Sequence, residues 1–264
     1  MLMVHREEKL SELVSNWPIR IGREGSAVRE RTDAVRGEWL ESRSRLAGVL
    51  DSIGKKWGSP NSKVTASLLI KAYALIPFAM RCISFADLCP RIDFSRLSLS
   101  VKEQWLEFEL EDETADAFET GNRDAWRAER VAALFKDHLT VLIRRLQETT
   151  RIPADVLWAH VAFNLDYWYG VWQEQVPPGE RRDILLGDRE FLFREASPEL
   201  FGWHVNPLNI RFREMDIPDC PGATIRVRSK CCLYYRLPGK LPCYTCPKLT
   251  DEGRSERWRE TMKR

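Results

Sequence analysis

Several things are scarce in this sequence, and each scarcity removes a class of function. Charge of one sign is not in excess: Lys+Arg total 41 against Asp+Glu 39, a formal net charge of +2. The global basic surplus of a nucleic-acid binder is missing, and no nucleic-acid partner is expected. Long apolar runs are missing too, because the most apolar stretch, Ala66 to Met80, is short for a bilayer and contains Lys71 and Pro77. The chain is therefore not expected to be transmembrane. Met1 to Leu13 mixes His5, Arg6, Glu7, Glu8 and Lys9 with no apolar segment, so no secretory leader is expected and a cytoplasmic, reducing compartment is the default. Gly22 and Gly25 make no dinucleotide fingerprint, since no strand precedes them and the third glycine is missing. A phosphate-binding loop and a nucleophile elbow are also absent.

What is present is an ordinary globular composition, 264 residues with 44% hydrophobic and 30% charged, long enough to bury a substantial core without disulfides. In a reducing setting its seven cysteines read as thiols or metal ligands. Their distribution is skewed. Cys82 and Cys89 stand apart, while Cys220, Cys231, Cys232, Cys243 and Cys246 crowd the C-terminal end.

Hydrophobic periodicity predicts a predominantly helical α+β protein. One amphipathic helix is expected over Arg29 to Ile53, and a second from Ser62 through Cys82, kinked at Pro77. A short β-hairpin with one wet face fits the alternation of Leu97, Leu99 and Val101 with serines and of Leu106, Phe108 and Leu110 with acids. A long apolar stripe follows Asn122, through Trp126, Val131, Leu134, Phe135, Leu139, Leu142 and Leu146. Pro153 suits the first turn of an aromatic helix, Ala154 to Trp172, and a polar helix or turn comes after Pro178. Strands are expected at Asn209 to Met215 and Thr224 to Lys230. This divides the chain into a helical body at 1–200, a β-hairpin with the clustered cysteines at 201–248, and a charged tail at 249–264 that reads as a surface helix or partly disordered.

Four of the clustered cysteines read Cys231-Cys232, ten intervening residues, Cys243, two intervening residues, Cys246. The loop between the pairs carries Pro238, Gly239 and Pro242 and can fold back to bring four thiolates together. Such a set binds structural zinc or an iron–sulfur cluster. Zinc sites usually use pairs with two to four residues between them, whereas adjacent cysteines suit a [2Fe–2S] rhomb whose two irons need not share both sulfurs. From Cys220 to Lys248 the charged residues include Arg226, Arg228, Lys230, Arg236 and Lys240, and no acid occurs. Cations there would favour the more negative, reduced state of a cluster or dock an anionic partner; the plainer reading is solvated strand and loop charges.

The run Arg228-Ser-Lys-Cys231-Cys232-Leu-Tyr-Tyr235-Arg236-Leu237-Pro238, followed by Cys243-Tyr-Thr-Cys246-Pro247, resembles the C-terminal signature of the FhuF-type ferric siderophore reductases. Leu157-Trp158 through Asn164 and Asp166 to Tyr167-Trp168-Tyr169 is similar to that family's aromatic helix. The resemblance implies a [2Fe–2S] cluster on Cys231, Cys232, Cys243 and Cys246, a ferric siderophore as substrate, and one-electron reduction that releases Fe(II). Without a nucleotide motif, electrons are expected from a separate donor protein or small reductant. Two other readings stay open on the residues alone, a zinc-stapled interaction protein and an iron–sulfur redox or iron sensor.

The remaining candidates have bland alternatives. Trp158, Tyr167 and Tyr169 could offer a substrate face, or form part of a core stripe with Leu165, Trp168 and Trp172. His160 reads as a core histidine, His204 as a neighbour of the β segment, Cys220 as a turn thiol, and Cys82 and Cys89 as core residues.

Overall fold

Ser42 and Asn61 start two successive helices in the same way, each side-chain oxygen accepting from a backbone N–H, of Arg45 and Val64 respectively, that the helix itself leaves unpaired. They open α1 (Arg43–Trp57) and α2 (Ser62–Lys71), and Gly58 ends α1 in the left-handed region at φ 65°. The computed structural model describes Leu10 and residues 12–22, 34–40, 42–103, 105–111, 114–218, 220 and 222–263.

The helix expected over Arg29 to Ile53 is not formed at 34–40. Residues 29–33 lie outside the described residues, β2 (Ala34–Arg36) and a 3-10 turn (Gly37–Leu40) follow, and the helix begins only at Arg43. Close backbone approach is the cause: a Cβ on Gly37 would lie 1.2 Å from the carbonyl oxygen of Phe94. Nor is there one kinked helix after Ser62. The chain breaks at Ala72–Ala74, and Pro77 falls in the first turn of α3 (Leu75–Ala86), where its missing N–H costs no helical bond. Taken together, Ser62–Ala86 is long and apolar enough by composition to cross a membrane, and 72% of its most apolar window is buried inside the protein.

The predicted hairpin is β4 (Leu97–Lys102) against β5 (Trp105–Leu110), with Leu99 opposite Phe108. It belongs to a four-stranded sheet in the order β1-β5-β4-β2, in which β1 (Ile19–Ile21) runs parallel to β5. The wet face expected on β4 is not wet. This strand lies between two others with the Gly37–Leu40 turn against it, and Ser98 and Ser100 are buried. A second, small sheet pairs β3 (Leu88–Pro90) with β6 (Ala115–Ala117).

The apolar stripe after Asn122 forms α4 (Arg123–Ala132), a π-helical stretch (Ala133–Leu139) and α5 (Thr140–Thr150), and Val131, Leu134, Phe135, Leu139, Leu142 and Leu146 are all buried. Pro153 precedes α6 (Ala154–Gln175), as expected, and α7 (Glu180–Glu190) follows. The C-terminal strands are shorter than predicted, β7 (Arg213–Asp216) and β8 (Thr224–Val227), antiparallel with Glu214 opposite Arg226. The charged tail is a helix, α8 (Asp251–Met262), capped by Thr250.

The protein is thus α+β and predominantly helical, with two apolar cores. The larger runs from Leu10 to Leu208 and includes Cys82 and Cys89; the smaller is built on Ile217, Ile225 and Val227, with Cys220, Tyr244 and Trp258 packed against it. Inside the larger core, the carboxylate of Asp188 is fully buried. It accepts from Arg123 Nη1 at 2.8 Å and Nη2 at 2.9 Å, from Arg127 Nη1 at 2.9 Å and from Ser84 Oγ at 2.9 Å, which ties α3, α4 and α7 together. Removing Asp188 takes from both guanidinium groups their buried partner, leaving Arg123 only the carboxylate of Asp87 and Arg127 only that of the exposed Asp124. Asp188→Ala is expected to lower unfolding stability by about 3–5 kcal/mol; a urea midpoint that does not move would contradict this role.

Candidate metal centre

Backbone geometry brings the two cysteine arms together. After β8 the chain passes Cys231-Cys232 and turns at Leu233, a non-glycine residue in the left-handed region at φ 63°. That turn aims the Leu233 N–H at Cys231 Sγ, 3.4 Å away. A short 3-10 turn (Tyr234–Arg236) and the Pro238–Gly239 bend lead back to Cys243 and Cys246. Arg228 N–H donates to Thr245 O at 2.9 Å, which holds the second arm beside the end of β8.

The sulfurs meet as two pairs, each with one member from either arm. Cys231 Sγ lies 3.7 Å from Cys246 Sγ, and Cys232 is hydrogen-bonded to Cys243. All seven cysteines of the chain are free thiols. Among the described residues, no group of three or more His, Cys, Asp or Glu side chains is arranged to hold a metal ion.

Two anchors hold these arms, and neither is evident from the cysteine spacing. From the helical body, Ser67 Oγ donates to the carbonyl of Cys232 at 3.0 Å and lies 2.9 Å from His160 Nε2. The serine has one proton and gives it to the carbonyl, so His160 donates from Nε2. Its buried Nδ1 has no partner. Burial, with Arg228 and Lys71 nearby, pushes the His160 imidazole down to about 3, so the ring is neutral near pH 7. From the other side comes Arg254 of α8, only 1% exposed. Its Nη1 donates to the carbonyls of Tyr244 and Cys246, both at 2.8 Å, and its Nη2 to that of Leu249 at 3.0 Å. Arg257 Nε adds a bond to Pro242 O at 3.1 Å. The tail is therefore a brace for the second arm.

The basic run resolves into different environments. Arg226 pairs with Asp166 of α6 and with Glu214, and Asp166 also binds Arg189. Lys230 pairs with Asp155 at 2.9 Å. The acids missing from the local sequence are supplied by β7 and by the helical body, so the run is not single-signed in space. Arg236 is exposed, and Lys240 lies 5.7 Å from the ring centre of Tyr234. Arg228 is the cation placed at the thiols. Its guanidinium stacks on Phe163 at 3.9 Å, its Nε donates to Thr245 Oγ1 at 3.2 Å, and that hydroxyl lies 3.2 Å from Cys243 Sγ. Its Nη1 is buried with no acceptor.

These contacts set the thiol acidities. The hydrogen bond from Cys232 pulls Cys243 down to about 5 against the effect of burial, helped by Thr245 and by the charges of Arg228 and Lys71. The same bond, with burial, pushes Cys232 up. Burial first, then Cys231, raises Cys246 to about 11.

Two of the three expected aromatic contacts are not available to a substrate. Trp158 is 2% exposed among Phe135, Phe201 and Trp203, and Tyr169 is 1% exposed beside Trp172 and Phe193. At about 100° per residue, eleven positions bring Tyr169 back to the same buried face as Trp158, whereas nine turn Tyr167 to the opposite side. Tyr167 is accordingly 54% exposed. His204 is exposed beside Trp203.

The family described as Ferric iron reductase FhuF-like transporter matches residues 93–218 of this chain. The similarity covers the sheet hairpin and α4 to α7 and ends before Cys220, so the four paired cysteines lie outside it. No curated relative matches the chain.

In metal-free protein, Cys243 is expected to react with iodoacetamide in preference to Cys246. Its rate should rise with pH through about 5, as the thiol becomes thiolate, and level off by neutrality. Peptide mapping that finds Cys246 alkylated first at pH 6.5 would contradict the pairing.

Proposed function

We propose that this protein is a cytoplasmic ferric siderophore reductase that holds a [2Fe–2S] cluster on Cys231, Cys232, Cys243 and Cys246. The observation that carries the reading is the sulfur pairing across the two arms. Two thiolates sharing one tetrahedral metal at about 2.3 Å would lie about 3.8 Å apart, close to the 3.7 Å between Cys231 and Cys246. Pairs formed across the arms suit the two irons of a [2Fe–2S] rhomb, each held by one cysteine from either arm. The orphaned Nη1 of Arg228 fits an anionic group at this place, as does the Leu233 N–H directed at sulfur. The similarity to a ferric iron reductase family over residues 93–218 supports the same reading from a different part of the chain.

Bound there, the cluster would supply one electron to a ferric ion, and a separate donor protein or small reductant would replace it. The substrate chemistry then follows from charge. Siderophores grip Fe(III) through hard oxygen donors, and Fe(II), with lower charge density, is held far less tightly, so one electron opens the chelate. Each tenfold preference for Fe(III) lowers the chelate's potential by about 59 mV, which makes the potential of the site its main constraint. The chain's own contribution is to set that potential and hold the arms. Arg228 favours the more negative state, the Leu233 amide does the same through Cys231, and Ser67 and Arg254 fix the backbone of the ligands. No side chain has to deprotonate the substrate.

Metal and sulfide analysis of anaerobically isolated protein is expected to find two irons and two sulfides per chain, as the [2Fe–2S] formula requires, with a paramagnetic signal on reduction. Cys231→Ser or Cys246→Ser should abolish both, and Cys220→Ser, which alters the small apolar core, should keep them. One zinc and no iron would overturn the reading. A second expectation separates the basic residues. Arg228→Gln should lower the midpoint potential, while Lys230→Gln should lower it by much less, because its ammonium is half-exposed beside Asp155 and water screens the charge that is lost. Equal shifts in the two variants would contradict the special place given to Arg228.

A further inference from the structure

Beside the first cysteine arm lies a groove of about 570 Å³, within the range that holds a small ligand. One wall comes from the end of α1 and from α2, with Lys55, Lys56, Trp57 and Lys71; the other comes from the loop between the cysteine pairs, with Tyr234 and Lys240. Glu103 is the carboxylate on its lining. Lys55 also pairs with Asp51 at 2.7 Å, and Lys56 Nζ donates to the carbonyl of Val101 at 3.4 Å, so both ammonium groups are already held along the rim.

The ring of Tyr234, two residues past Cys232, lines the groove. Lys71 Nζ lies 4.9 Å and Lys240 Nζ 5.7 Å from its centroid. Two ammonium groups of different chain segments thus converge on one aromatic surface. The walls are in contact at their base: Gly58 ends α1 in the left-handed region, and a Cβ there would meet Pro238 Cγ at 3.0 Å. The charge of Lys71 also reaches the thiols of Cys232 and Cys243. A ligand in the groove would therefore share one cation with the metal centre.

We propose that this groove is the substrate site and that it selects ferric chelates of net negative charge, those with catecholate or carboxylate oxygens, over neutral or cationic trihydroxamates. The inference rests on the reductase reading for its substrate class and on the groove for its charge preference. Ammonium groups attract the chelate's oxygens, and Trp57 and Tyr234 provide flat surfaces for catechol rings. Contact with Tyr234 would bring the ferric ion to the loop that bears the cysteines.

Gallium(III) chelates separate binding from electron transfer, since gallium(III) resembles Fe(III) in charge and is not reduced. Full-length, anaerobically isolated protein should be titrated calorimetrically with gallium(III) tris-catecholate, gallium(III) citrate and a gallium(III) trihydroxamate of no negative charge. At least one anionic complex is expected to bind at least about tenfold more tightly than the trihydroxamate, and its affinity should fall about tenfold in Lys71→Gln and in Lys240→Gln. Lys63→Gln, exposed on α2 and outside the groove, should change nothing. Lys240 lies on the loop, so its variant keeps the test valid if Lys71→Gln folds poorly. The tris-catecholate and citrate arms distinguish the two oxygen donors. Equal binding of the trihydroxamate, no binding of either anionic complex, or unchanged affinity in Lys240→Gln would overturn the proposal. Charge-selective binding by a protein that reduces no ferric chelate would end the reductase reading and keep the groove; reduction without charge preference would do the reverse.

Discussion

The site depends on holding two short cysteine-bearing loops sulfur to sulfur when neither has regular structure of its own. Cys231-Cys232 lies beyond the end of β8, and Cys243 to Cys246 is a turn. Their mutual contacts are few, so the positions of the four sulfurs depend on what grips the backbone around them. Ser67 grips the carbonyl of Cys232 from the helical body, and Arg254 grips the carbonyls on either side of Thr245 from α8. An unpaired carbonyl at either place would carry the cost of a buried acceptor without a donor, which explains why a fully buried guanidinium is tolerated in a small core. The helical body and the tail thus hold the four-cysteine site in shape, though neither contributes a sulfur.

The same dependence explains the charges. The paired cations Arg226 and Lys230 join the cysteine region to α6 through Asp166 and Asp155. Arg228 and Lys71 face inward, one toward Cys243 through Thr245 and the other toward both the thiols and the groove. One set of basic residues fastens the region to the body, and the other brings its charge to the thiols. Arg254 belongs to neither group, since it pairs mainly with carbonyl oxygens.

How much of this was legible in the sequence follows the range of the interactions involved. The cysteine pairs, the β4–β5 hairpin, the stripe after Asn122 and the start after Pro153 are local patterns, and all could be read from spacing. The helix expected from Arg29 failed because Gly37 packs against the backbone of Phe94, a contact no periodicity records. Ser67 and His160 are 93 residues apart, and Ser67 and Cys232 are 165 apart, so their chain of hydrogen bonds left no mark in any window. Within a run of like charges nothing reveals that the balancing acids come from α6 and β7. In the tail, nothing distinguished Arg254 from the exposed charges around it.

The most direct test of the account is a single turnover. Reduced protein is mixed without oxygen with an excess of ferric chelate, in the presence of a strong Fe(II) trap, while the paramagnetic signal of the protein is followed. The account predicts that the signal decays as Fe(II) appears, with one Fe(II) for each reduced cluster and no second turnover until a donor is added. A signal that persists while no Fe(II) is trapped, even from weakly binding chelates, would contradict it.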